Sequence, residues 1–408
     1  MAFWHPFADM GAVSREELII DRGEGPWVFD EAGTRYLDAT ASLWYANLGH
    51  GRAEIADAVA AQMKRIEAYH TFADVGNRPA NEICERLAER APMPNAKVFL
   101  TSGGGDSIEV AAKLARRHFL DAGQPERVHL ISRTQGYHGT HGFGTSLGGI
   151  EANTSNWGPL VPQISTVAFD SLPALEAEIA RLGPEKVAAF FCEPVIGAGG
   201  VHPPPEGYIQ GVADLCAEHG ILLVIDSVIC GFGRLGTWYG VERWEDVKPA
   251  MITFAKGVTS GYIPLGGVVT SEGIAAPYWA EKGGPTFRHG ATYAGHPVAC
   301  AAALAVLDIY EGEDLIPRGR ELEQPLYDTL AQFASHPAVA EVRGGCGFLA
   351  AIGLVPDANA FQLAEGAREA GVLVRPLLGG IATSPPLICD QSHLDLLAEA
   401  VASGLERL

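Results

Sequence analysis

Three apolar runs in this 408-residue chain each end in an ionisable residue: Cys192 is followed by Glu193, Ile225 by Asp226, and Ala255 by Lys256. In an open α/β sheet, ligands bind outside the carboxyl ends of the strands, so three such ends in succession point to one shared site. Taken singly, each residue also reads as an ordinary cap or loop residue. The chain has only seven lysines, and Lys256 stands apart from the other six, which lie in helical, charged or polar contexts. It sits between Met251-Ile252-Thr253-Phe254-Ala255 and Gly257-Val258-Thr259-Ser260-Gly261, at a strand-to-loop corner. An amine there is partly desolvated, loses its proton more readily and can attack a carbonyl to form an imine.

Two further segments supply complementary chemistry. Gly103, Gly104 and Gly105, within Thr101-Ser102-Gly103-Gly104-Gly105-Asp106-Ser107, follow one strand candidate and open a helical stretch. Glycines let backbone N–H groups approach an anion, and a helix start adds partial positive charge. The spacing fits neither dinucleotide nor P-loop fingerprints, and a plain turn capped by Asp or Ser explains it equally. Gly136-Tyr137-His138-Gly139 places an aromatic ring after another strand, where Tyr137 could stack on a flat heterocycle or simply pack in the core. Together, an imine-forming lysine, a carboxylate, an anion cradle and a stacking ring suit pyridoxal 5'-phosphate, with Asp226 holding the pyridine nitrogen protonated.

The elements that must position these groups follow a strand–helix alternation from about residue 98 to 270, the pattern of a largely parallel sheet flanked by helices. Expected strands are Lys97–Thr101, Val128–Ser132, Val187–Cys192, Ile221–Ile225 and Met251–Phe254. Helices are expected over Ile108–Leu120, Pro173–Leu182 and Tyr208–Glu218, with Ala53–Ala68 before the block and Cys300–Tyr310 after it. Residues from about 310 to 408 read as a smaller second domain. Gly144-Thr145-Ser146-Leu147-Gly148 fits the hydrolase G-x-S-x-G, but no strand precedes it and no helix follows it, as the nucleophile elbow requires. His138 and His141 lack the companions of a metal site, so none is expected.

With 47% hydrophobic and 19% charged residues, the composition is that of a folded globular protein. A formal charge of −20 repels phosphate backbones and anionic lipid, which argues against nucleic-acid or membrane partners. Seven cysteines without a C-x-x-C pair read as reduced core thiols. No basic, then apolar leader opens the chain and no apolar run reaches about 18 residues, so a soluble, cytoplasmic protein is expected.

Over nearly its whole length the sequence resembles the class III aminotransferases of fold type I, in particular the ω-transaminase (amine–pyruvate) subgroup. The resemblance rests on His5-Pro6-Phe7, Ser42-Leu43-Trp44-Tyr45 through Gly49-His50-Gly51-Arg52, the Gly103–Ser107 loop, Gly136-Tyr137-His138-Gly139 and Glu193 through Gly200. It continues through Asp226–Arg234, Ala255-Lys256-Gly257, His289–Pro297 and the segment from Arg375 to Leu387. It implies an α/β protein with a large cofactor domain built on a mostly parallel sheet and a smaller α+β domain. The implied divisions are residues 1–56, an N-terminal segment joining the small domain, then 57–305 and 306–408.

By this resemblance Lys256 holds the cofactor as an aldimine and carries protons, Asp226 binds the pyridinium nitrogen, and Glu193 supports Asp226. Val228 and Tyr137 pack on the two ring faces, His138 belongs to the cofactor site, and Gly103, Gly104 and Gly105 hold the phosphate. Thr292 reaches the phosphate of a second subunit, which implies a homodimer with shared active sites. Trp44 forms a wall of the substrate pocket, and Arg375 is a mobile arginine that grips a carboxylate. The implied reaction is ping-pong amino transfer from a primary amine or amino acid to a keto acid such as pyruvate. An aminomutase of the same fold and a catalytically silent cofactor-binding regulator are the alternatives. The chain departs from the family in two places: its usual serine at 105 is Gly105, and its usual Asp-Glu pair reads Asp226-Ser227.

Overall fold

The computed structural model describes residues 2–15, 17–377 and 379–408, which include every candidate site residue. Its centre is a seven-stranded sheet in the order Lys97–Thr101, Gly266–Thr270, Met251–Phe254, Leu222–Asp226, Val187–Cys192, His129–Arg133, Ile164–Val167. All neighbours pair parallel except Gly266–Thr270, which runs antiparallel to both of its neighbours. The five expected strands are present, two of them moved one residue toward the C-terminus. Each ends at the same edge, as the alternating sequence requires.

Central strands read as unbroken apolar runs because both faces are covered. Alternate residues serve opposite layers. Ala189, Phe191, Val224 and Met251 pack with Ile108, Ala111 and Ala115 of the Gly104–Asp121 helix, whereas Phe190, Cys192, Leu223 and Ile225 pack with Ile209, Val212 and Cys216 of the Tyr208–Glu218 helix. The result is an α/β/α sandwich with the site at its open carboxyl edge.

The Ile164–Val167 and Gly266–Thr270 strands were not expected. The second opens with two glycines, which disfavour strand formation, yet a Cβ on Gly267 would stand 2.4 Å from Phe254 Cζ, so only glycine lets these strands pair. Two four-stranded sheets flank the sandwich. One joins Ile20–Glu24, Trp27–Asp30 and Arg35–Asp38 to Val372–Leu373, which pairs parallel with Arg35–Asp38; the other is ordered Val339–Arg343, Ala350–Leu354, Gly380–Thr383, Arg375–Leu377. Residues from the two ends of the chain therefore share one sheet. Among the described residues, no helix is long and apolar enough to cross a membrane.

Arg234 locks these parts together. It is fully buried, and its guanidinium donates to Phe348 O (2.8 Å), Pro385 O (2.6 Å) and Asn47 Oδ1 (2.7 Å). With no carboxylate in those bonds, burial pulls its pKa from 12.5 to about 10. Arg234→Leu leaves three acceptors without donors in the interior and is expected to lower stability by about 3 kcal/mol. Urea unfolding checks this, and a loss below about 1 kcal/mol would show that the clamp is dispensable.

Candidate active site

A cavity of about 1130 Å³ opens at the carboxyl edge, and Lys256, Asp226, Glu193, Tyr137 and Arg375 all line it. Lys256 follows the Met251–Phe254 strand with φ +49° at the start of a short 3-10 turn, a left-handed corner that turns the chain sharply away from the sheet. Burial drives its amine down from 10.5 to about 8, against the opposing pull of Asp226 and Glu193.

Asp226 ends the neighbouring strand and is 3% exposed. Its Oδ1 accepts from Val228 N and Thr253 Oγ1, both at 3.1 Å, and its Oδ2 from His138 Nδ1 at 2.8 Å. Both oxygens are thus fixed in direction. The support expected from Glu193 runs through a loop. Its oxygens accept from Tyr137 N and Gly197 N, each at 3.0 Å, and its carbonyl accepts from the buried Arg133 guanidinium. Glu193 therefore secures the loop that carries Tyr137 and His138, and His138 makes the contact with Asp226. Burial raises the Glu193 pKa, with His138 opposing.

Tyr137 is half-buried in the wall, and burial raises its phenol pKa. Trp44, 3% exposed, lines the cavity beside Leu43. Val228 meets Gly104 so closely that a Cβ there would lie 2.9 Å from Val228 Cγ1. Gly105 faces His141, whose ring pairs with Asp106 at 3.4 Å. Gly103 caps the 18-residue Gly104–Asp121 helix, whose first N–H groups have no carbonyl one turn back to bond. Arg375 stands on the Arg375–Leu377 edge strand with its buried Nε unpartnered among the described residues, and burial lowers its pKa. Of the expected site residues, Gly103 and Thr292 lie outside the cavity lining, and Thr292 is the exposed one.

Thr253 and Phe7 were missed in the sequence. Thr253 is the one polar residue in Met-Ile-Thr-Phe, a signal that alternation could have carried; Phe7 lines the cavity from the N-terminal segment while 70% exposed. Ser146 of the G-x-S-x-G match lies on the Gly142–Leu147 helix, where its hydroxyl donates to Gly142 O (2.6 Å) and accepts from Val161 N (3.0 Å). It is a helix-binding serine and not a nucleophile at a strand end. Ser227, where the family usually has glutamate, is wholly buried and donates to Tyr239 O at 2.5 Å.

The donor set fits a phosphorylated pyridine aldehyde: an amine of lowered pKa, an oriented carboxylate, an aromatic wall, and a glycine cradle at the start of a long helix. Fold and site together define a pyridoxal-phosphate enzyme of fold type I. The chain belongs to the class III aminotransferases, for the family "Aminotransferase class-III" matches residues 10–405, and pyridoxal 5'-phosphate is that family's cofactor. The putrescine–pyruvate aminotransferase of Pseudomonas aeruginosa is 35% identical over 98% of this chain and 93% of its own. A thermostable (S)-enantioselective omega-transaminase from Thermomicrobium roseum superposes with a TM-score of 0.94 at 39% identity, covering 98% of this chain and 95% of that one. An amine transaminase from an uncultivated Pseudomonas species, in its PLP-bound form, gives 0.93 at 37% identity over 100% and 99%.

The lowered amine has a signature in the apo protein. Between pH 8 and 10.5 the unfolded lysine binds its proton and the folded one does not, so Lys256 makes stability rise with pH across that window; below pH 8 both forms are charged and the full burial cost remains. Relative to Lys256→Met, apo wild type is expected to gain about 3 kcal/mol across the window. Parallel stability curves for the two proteins would refute the lowered amine.

Proposed function

We propose that the protein moves an amino group from a primary amine or amino acid to a keto acid, foremost pyruvate, in two half-reactions through one site. The observation that carries this reading is that the Lys256 amine, lowered to about 8, faces the same cavity as an Arg375 guanidinium with a nitrogen unpartnered among the described residues. The P. aeruginosa relative, named for putrescine and pyruvate, supports the amine and keto-acid pairing.

When bound, pyridoxal phosphate supplies an aldehyde carbon that condenses with amines and a ring that takes up electrons from the donor's Cα. In this reading Lys256 Nζ takes the Cα proton and returns it to the neighbouring position; a pKa near 8 keeps both base and acid forms within reach at neutral pH. Asp226, oriented by His138 and Thr253, holds the proton at the ring nitrogen. Gly103, Gly104, Gly105 and the helix start bind the phosphate, while Tyr137 and Val228 pack on the ring. Trp44 bounds the donor side. Arg375 grips the acceptor's carboxylate and turns aside for an uncharged donor, since a guanidinium in a low-dielectric site attracts an anion strongly.

The division at residues 56 and 305 belongs to the same proposal, supported by the sheet that joins Arg35–Asp38 to Val372–Leu373. So do a cytoplasmic location, supported by seven free thiols, and the shared homodimer site.

A donor panel run with pyruvate and 2-oxoglutarate tests the reading; no transfer to either acceptor would overturn it. Arg375→Ala is expected to cut kcat/KM for the pyruvate half-reaction by about 10–10³ and to leave that of an uncharged amine within about threefold. Equal losses in both halves would mean a structural role. Exposure of Thr292 beside Tyr293, itself 65% exposed, supports completion of the site by a second copy. Dilution to monomers should therefore release cofactor, followed by its absorbance after gel filtration, and a competent cofactor-loaded monomer would refute the shared site.

A further inference from the structure

Three residues between Thr40 and Tyr45 adopt left-handed backbone without being glycine: Ala41 (φ +47°), Ser42 (φ +57°) and Trp44 (φ +68°). Ser42, with ψ −107°, is near the geometry that glycine takes at the first central position of a type II′ turn. Side chains make such angles costly, so they persist only where the surroundings over-determine them. Here they swing Leu43 and Trp44 into the wall of the cavity.

The surroundings in question centre on Asp38. It ends the Arg35–Asp38 strand, is 3% exposed and is not part of the cavity lining. Its Oδ2 accepts from Ser42 N at 2.6 Å and from His50 Nε2 at 2.8 Å. Its Oδ1 accepts from Thr40 N at 3.3 Å and from Thr40 Oγ1 at 3.1 Å, the hydroxyl lying also 2.8 Å from Ser42 O. His50 is a firm brace because its backbone exchanges two hydrogen bonds with Gly25, at 2.8 and 3.0 Å, and a Cβ on Gly23 would stand 2.6 Å from its own Cβ. Asp38 is also the register partner of Leu373, two residues before Arg375. One strand end thus anchors the loop that carries Trp44 and adjoins the strand leading to the carboxylate grip.

We propose that Asp38, braced by His50, is a positioning residue that fixes the Trp44 wall of the cavity and thereby sets which amine donors fit. This rests on the reading of the cavity as a donor site. The carboxylate is required because all of its partners are donors: an amide in its place keeps the shape but turns one acceptor into a donor. Whichever way the amide turns, its NH2 faces a backbone N–H, that of Ser42 or that of Thr40, which cannot accept, while His50 and the Thr40 hydroxyl can adapt.

The test uses the holoenzyme with pyruvate and two donors, a bulky aryl-alkyl amine and a small aliphatic amine. For Asp38→Asn the ratio of their kcat/KM values is expected to shift by about tenfold, through KM, while kcat and the pyruvate half-reaction stay within about threefold. Adding Ser42→Gly, which adopts the left-handed angle freely, should bring the ratio back to within about threefold of wild type. An unchanged ratio, a uniform fall in kcat for both donors, or failure of Ser42→Gly to restore the ratio would overturn the proposal. Should Asp38→Asn not fold, His50→Gln carries the test: a shift of about threefold or more in the ratio supports the clamp, and none overturns it. Wild-type enzyme that transfers from neither donor would defeat the aminotransfer reading and this proposal with it; an active wild type with indifferent variants defeats this proposal alone.

Discussion

Desolvation of charge at one edge of the sheet is the constraint on which the structure depends. Lys256, Asp226, Glu193 and Arg375 are brought out of bulk water into a single cavity, and a buried charge is costly unless it is paired or hydrogen-bonded. Each group meets that cost differently. Asp226 and Glu193 are bonded to protein donors on both oxygens. For Lys256 and Arg375, burial instead lowers the pKa, and the guanidinium keeps its charge. The carboxylates are thus fixed in direction, while the two bases keep unspent capacity facing the cavity. A proton carrier and an anion grip need that capacity, and a cofactor anchor needs the fixed direction.

Such an edge forms only if backbones and side chains approach more closely than most residues allow. Gly267 lets its strand lie against Phe254, Gly104 lets the helix start sit on Val228, and a Cβ on Gly199 would fall 1.8 Å from Gln135 O, in the loop before Tyr137. These close approaches bind the walls to the sheet, so the site inherits the rigidity of the sandwich. Arg234 extends that rigidity to the chain's two ends through Asn47 and Pro385.

Much of this was legible in the sequence, and the parts that were not share a cause. Unbroken apolar runs gave away the central strands because burial on both faces leaves only one kind of residue. The strand-end charges stood out because three successive runs end in one, although each alone reads as an ordinary cap. Gly266–Thr270 escaped notice because its glycines serve a neighbour's ring, which local propensity does not see. Glu193 was expected to support Asp226, but the route, through the loop that carries Tyr137 and His138, was not legible, because spacing along the chain says nothing of how a carboxylate divides its oxygens among loop amides. The Asp38 hub was hidden for the same reason: its partners Ser42 and His50 look like ordinary loop residues until the left-handed angles place them around one carboxylate.

The two departures from the family sequence have different physical standing. Ser227 is accommodated by its surroundings: it is wholly buried and its hydroxyl is committed to Tyr239 O, which leaves no room for a glutamate's carboxylate without a new partner. Gly105 is coupled to another residue. A Cβ there would lie 3.2 Å from His141 Cε1 and 3.3 Å from Nδ1, so a serine at this position and the histidine as placed would crowd each other. The imidazole, held by Asp106, stands where the hydroxyl-bearing carbon would press. Restoring the serine therefore requires the half-exposed His141 ring to move by a few tenths of an ångström at the start of the helix.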